Sequence, residues 1–135
     1  MRRSFAGLAT LLVLAVVAQF FLAASGAFDT APNEESFQPH RMLGAGILLL
    51  TVLVTIVAAI ARMPGRLIGL SGLVAGLAVV QFVIAAIAKA FDGTAGELVF
   101  GLHALNGLAI MTVASMIVRQ AGQLSRPAAP ARQAP

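Results

Sequence analysis

The stretch LIGLSGLVAGLAVVQFVIAAIA, residues 67–88, runs for 22 residues without a formal charge. As a helix it rises about 33 Å at 1.5 Å per residue, enough to cross the roughly 30 Å of hydrocarbon in a bilayer. Three more uncharged tracts accompany it, 4–28, 42–61 and 98–118, with 25, 20 and 21 residues. Together the four tracts take up 88 of the 135 residues. Charged residues make up only 10% of the chain, hydrophobic ones 59%, and the mean hydropathy is +0.95. A soluble domain carries about 25% charged residues, so a water-soluble monomer is excluded. The expected fold is an all-α integral membrane protein, a four-helix up-down bundle with spans about 5–28, 40–61, 67–89 and 97–118. These form one domain, 1–120. The proline-rich stretch 121–135 reads as a disordered cytoplasmic tail.

Charge placement orients the bundle. Arg2, Arg3, Arg62, Arg66, Arg119, Arg126 and Arg132 fall on one side of the spans with no acidic companion. Asp29, Glu34, Glu35, Asp92 and Glu97 fall on the other, with only Arg41 and Lys89 as bases. The split is +7 against −3, and the positive-inside rule puts both termini in the cytoplasm of a plasma-membrane protein. The net charge of +4 gives no nucleic-acid surface, because the basic residues form no cluster with aromatics. With no cysteine, disulfides, iron–sulfur clusters and thiolate metal sites are excluded. The apolar run 4–28 is longer than the 7–15 residues of a signal-peptide core, so it is expected to remain as a span.

The connections are short. Arg62-Met-Pro-Gly-Arg66 forces spans 2 and 3 to be antiparallel neighbours. Asp92-Gly-Thr-Ala-Gly96 makes a tight turn, and Pro39 suits the first turn of span 2.

The chain also repeats itself. Gln19-Phe20, Phe28-Asp29 and Phe37-Gln-Pro-His40-Arg-Met-Leu-Gly44 recur as Gln81-Phe82, Phe91-Asp92 and Phe100-Gly-Leu-His103-Ala-Leu-Asn-Gly107. The offset is 62 for the glutamines and 63 for the other matches. This pattern predicts tandem duplication of a helical hairpin, with halves about 5–62 and 66–119, related by an axis along the membrane normal.

The only two histidines, His40 and His103, take equivalent places at the outer starts of spans 2 and 4. Two opposed imidazoles in an apolar four-helix core are what bis-histidine ligation of haem requires, so both are candidate metal ligands. His40 lies two residues outside its uncharged tract, whereas His103 is the sixth residue of its own. That difference sets the two at unequal depths. An outer-edge histidine equally serves by hydrogen bonding a loop carbonyl or facing headgroups. Gln19 and Gln81 must point inward, because an amide is costly in lipid. They are candidates to orient a histidine or to meet a quinone or haem edge, and equally to bond helix to helix. Asn106 shares the His103 face. Gly44 and Gly107, each four residues after a histidine, leave room for a flat macrocycle or for a close helix contact. Arg41 and Lys89 suit haem propionates or neighbouring carboxylates. Gly65, Gly69, Gly72 and Gly76 line one stripe of span 3 and suit close packing against a span, a second copy or another subunit.

The element His40-Arg-Met-Leu-Gly44 resembles the histidine-arginine-x-x-glycine signature of the haem A synthase family. In that family, histidines near the outer ends of the second and fourth helices of each four-helix half ligate haem, a role the resemblance carries to His40 and His103. The family's preceding glutamate is replaced here by Phe37, and the chain corresponds to one half only. Through the glutamine-phenylalanine, Pro-His-Arg and His-x-x-Asn-Gly elements, residues 5–118 more closely resemble an uncharacterised family of small four-span actinobacterial membrane proteins.

These readings lead to an expected membrane protein holding haem b between His40 and His103, passing electrons to or from quinone or a respiratory partner. Two alternatives stand beside it: a non-catalytic structural or assembly subunit of a larger membrane complex, and a small-molecule transporter.

Overall fold

The computed structural model describes residues 1–124; residues 125–135, most of the expected tail, lie outside the described residues. Five helices follow in order: α1 (Arg2–Ala27), α2 (Asn33–Ser36), α3 (Gln38–Ile60), α4 (Gly65–Ala88) and α5 (Gly93–Leu124). The four long helices are each long and apolar enough to cross a membrane. Their continuity follows from composition: no proline interrupts any of them, and Pro39 occupies the first turn of α3, where its missing N–H is tolerated. Pro32 and Pro64 stand at the N-caps of α2 and α4. The α3–α4 turn closes with Arg62 at φ +48°, and the α4–α5 turn with Gly93 at φ +60°.

The connection between α1 and α3 contains the single-turn helix α2. Asp29 accepts from the Ala31 N–H at 3.0 Å, and the Ser36 hydroxyl donates to Ala31 O at 2.9 Å. Gly26 makes this closure possible, because a Cβ there would meet Ser36 O at 2.8 Å. These local bonds give the loop backbone partners that α1 and α3 cannot supply.

Each long helix packs on two others: α1 and α4 both lie against α3 and α5, so α1 is diagonal to α4 and α3 to α5. One seam runs down each helix. On α1 the buried seam residues are Phe5, Ala9, Leu12 and Val16, apart from Gly26 near the helix end; on α4 they are Leu67, Ser71, Val74 and Ala78, apart from Ala88 at the helix end. On α3 they are Ile47, Thr51, Val54 and Ala58; on α5 the matching set is Ile110, Ala114, Ile117 and Ala121. Every set steps by four, three and four residues, the spacing of left-handed bundle packing. The α4 set is the α1 set displaced by 62, and the α5 set is the α3 set displaced by 63.

Small side chains fill much of this core, which lets the backbones approach closely. In a lipid surround, whose tails are as apolar as leucine, van der Waals contact and hydrogen bonds are what would hold such helices together. The Thr55 hydroxyl donates to Ser71 O on α4 at 2.9 Å as well as to Thr51 O at 2.8 Å. Large apolar residues such as Leu14, Phe21, Leu49, Leu73 and Leu105 point outward. A surface of this kind suits hydrocarbon and not water.

Candidate functional site

The seams do not stop at the apolar core. One further step of three residues beyond Val16 reaches Gln19, and the same step beyond Ala78 reaches Gln81. Stepping back from Ile47 by three and then four gives Gly44 and His40; from Ile110 it gives Gly107 and His103. The polar residues singled out in the sequence are therefore the final layers of the same four seams, gathered at one end of the bundle.

Within the first hairpin, Gln19 Nε2 donates to His40 O at 2.9 Å and lies 3.2 Å from His40 Nε2. His40 Nδ1 lies 3.1 Å from Gln19 O. A carbonyl only accepts, so Nδ1 carries the proton and Nε2 presents its lone pair to the Gln19 amide. The second hairpin repeats the clasp: Gln81 Nε2 donates to His103 O at 2.8 Å, and His103 Nδ1 donates to Gln81 O at 3.2 Å. Each clasp joins the two long helices of one hairpin.

The glycines make room for these amides. A Cβ on Gly44 would approach Gln19 Nε2 to 3.1 Å; one on Gly107 would approach Phe20 Cζ to 3.3 Å and Gln81 Nε2 to 3.5 Å. The space that the sequence left open to a macrocycle or a close contact is filled by glutamine and phenylalanine side chains.

The two clasps differ in one residue. Asn106 Nδ2 donates to Leu77 O at 2.9 Å and to Gln81 Oε1 at 2.5 Å. The position 63 residues earlier is Leu43, which offers no donor, and Gln19 Oε1 is buried without a partner. This difference could have been read from the repeat, but its consequence requires knowing where the amide points.

Across the bundle the His40 and His103 ring centroids are 6.2 Å apart at 48°. The structure thus brings the two histidines together at equal seam positions, despite their unequal placement in the uncharged tracts. Phe37, at the position of the missing glutamate, meets His40 edge-on, and Phe100 stacks on His103 at 5.0 Å and 7°.

The haem expectation is overturned by this geometry. No histidine or charged side chain is buried among the described residues; the buried polar ones are Ser36, Thr51 and Ser71. Both ring nitrogens of His40 are occupied by Gln19, and Nδ1 of His103 by Gln81. No group of three or more His, Cys, Asp or Glu able to hold a metal occurs among the described residues. The space beside Gly44 and Gly107, which the sequence left open to a macrocycle, holds the side chains of Gln19, Gln81 and Phe20. Arg41, considered for a propionate, donates instead to the main-chain carbonyl of Glu34. His40 and His103 are accordingly not an axial ligand pair, and haem b, quinone and electron transfer do not fit the residues present.

What the geometry defines is a class: an all-α four-helix bundle with membrane-length apolar helices and a self-paired polar layer at one end. A family described as being of unknown function (DUF6220) matches residues 19–89, just over half of the chain, and the chain belongs to that family. The matched part contains Gln19, His40 and Gln81. No curated protein and no solved structure matches the chain. The family description specifies neither an actinobacterial lineage nor kinship with haem A synthase.

Proposed function

We propose that the chain is an integral membrane protein serving as a non-catalytic structural or assembly subunit of a larger membrane complex. The observation that carries this reading is the outer face of α4. Gly65, Gly69, Gly72 and Gly76 are exposed there, and a Cβ on any of them would meet nothing within 4 Å. Such a groove lets a second helix approach backbone to backbone. In the first hairpin the corresponding positions are Arg3, Gly7, Thr10 and Leu14, so only one of the two hairpins offers the groove. The clasp residues Gln19, His40, Gln81, His103 and Asn106, with Gly44 and Gly107 beside them, act within this reading as locks between helices.

Further parts of the proposal concern topology and origin. Both termini lie on the cytoplasmic side of the plasma membrane, supported by Arg2, Arg3, Arg62, Arg66 and Arg119 at one end and all five acidic residues at the other. The two hairpins descend from one duplicated unit, supported by seam burial and clasp bonds that recur at offsets of 62 and 63.

The test is purification of the full chain from its native membranes at natural expression level. A partner at fixed stoichiometry is expected, lost in Gly69→Leu with Gly72→Leu and kept in His40→Ala with His103→Ala. A chain that elutes without a stoichiometric partner, or a partner indifferent to the two leucines, refutes the proposal.

A further inference from the structure

We propose that the crevice where α4 begins and α5 ends binds the phosphate of an anionic lipid headgroup. Pro64, Leu67, Gln120, Gln123 and Leu124 line a space of about 130 Å³ between the two helices, on the order of four water volumes. Its lining is of two kinds, apolar proline and leucine residues and two glutamines. Arg66 immediately precedes Leu67, and Arg119 immediately precedes Gln120; both side chains are exposed.

Neither arginine has a carboxylate partner among the described residues. Asp29, Glu34, Glu35, Asp92 and Glu97 all belong to the opposite end of the bundle. Arg2, Arg3 and Arg62 add to the positive charge at this end. A guanidinium presents a planar fork that matches two phosphate oxygens, and carboxamide N–H groups can complete the set. The 32 residues of α5 extend about 48 Å, well beyond the roughly 30 Å hydrocarbon core. Its last turns therefore reach headgroup depth. The apolar wall suits the first methylenes of an acyl chain, which a free phosphate lacks. A zwitterionic lipid carries the same phosphate, but its ammonium offsets the charge the arginines would meet.

The experiment is native mass spectrometry on the detergent-solubilised full chain, titrated separately with phosphatidylglycerol, phosphatidylcholine and inorganic phosphate. Phosphatidylglycerol is expected to form the tightest adduct. Since a basic residue at an anionic headgroup surface contributes about fivefold, Arg66→Gln with Arg119→Gln should weaken it roughly thirtyfold. Arg2→Gln with Arg3→Gln, at the same end of the bundle but next to no residue that lines the crevice, should weaken it by less than either single crevice variant. Far-ultraviolet circular dichroism checks that each variant is helical; should the double variant not fold, the two single substitutions give the same reading at about fivefold each. Equal binding of phosphatidylcholine or of phosphate alone overturns the proposal. So does a loss in Arg2→Gln with Arg3→Gln equal to that of the crevice pair, which would mean diffuse attraction without a site.

Discussion

Replacing each clasp glutamine by leucine gives a differential prediction, because the two amides are satisfied unequally. In Gln81→Leu the bond to His103 O is lost, and so is the bond that Asn106 donates to Oε1. Interhelical side-chain bonds in membranes average about 0.6 kcal/mol and reach about 1.7, so two of them sum to about 1–3 kcal/mol. In Gln19→Leu the contacts to His40 O and His40 Nε2 disappear, a similar loss. That substitution also removes the buried, unpartnered Oε1, whose desolvation costs about 1–3 kcal/mol. The two effects nearly cancel. Gln81→Leu is therefore expected to destabilise the bundle by about 1–3 kcal/mol more than Gln19→Leu, about five- to a hundredfold or more in the unfolding constant. Leucine is close to glutamine in size, so cavity effects are alike at the two sites. The assay is reversible unfolding in mixed micelles with increasing dodecyl sulfate, followed by circular dichroism at 222 nm. A Gln19→Leu protein as unstable as Gln81→Leu, or less stable, would refute the claim that Asn106 makes the clasps unequal.

Three further outcomes follow from local geometry. Gly96→Ala should destabilise by about 1–3 kcal/mol, because its Cβ would sit 2.6 Å from Phe91 O and 2.9 Å from Ala88 O; Gly72→Ala, facing open space, should be close to neutral in the same titration. Arg62→Gly should leave stability unchanged or raise it by up to about 1 kcal/mol, since φ +48° strains any side chain, whereas Arg62→Val should lower it; a destabilised glycine variant would show that the arginine side chain is what holds the turn. The chain has no cysteine, so single cysteines can report sidedness: Asn33→Cys should react with an impermeant maleimide in intact cells and Gly122→Cys only after permeabilisation, and the reverse pattern would invert the topology.

Much of the fold was legible because hydrocarbon leaves a chain few choices. A segment that cannot hydrogen bond to solvent must satisfy its backbone internally, so four uncharged tracts had to be four helices. The four-residue link at 61–64 made α3 and α4 neighbours for want of chain length. The single-turn helix α2 was missed, because four residues carry no periodic signal and their closure depends on Gly26 and Ser36 meeting across the loop. Gln19, His40, Gln81, His103 and Asn106, picked out in the sequence, meet at one end of the bundle, but the haem chemistry expected of the two histidines does not fit there. Two histidines at matching repeat positions suggested a shared ligand, but the ring nitrogens turn toward the glutamines of their own hairpins.

By itself, the amino-acid order determined how many long helices form, where along each one its polar residues fall, and how charge is divided between the two ends. Those properties depend on hydropathy, chain length and repeat spacing, each of which is linear in the sequence. Only the tertiary structure decided how each helix is rotated, which side chain fills the space beside Gly44 and Gly107, and that Leu43 leaves Gln19 Oε1 unpaired where Asn106 completes Gln81. Rotation about a helix axis is set by packing against two neighbours at once, and no spacing along one chain encodes it. The same packing turned an apparent metal site into a pair of clasps and left the α4 glycine groove open on the outside.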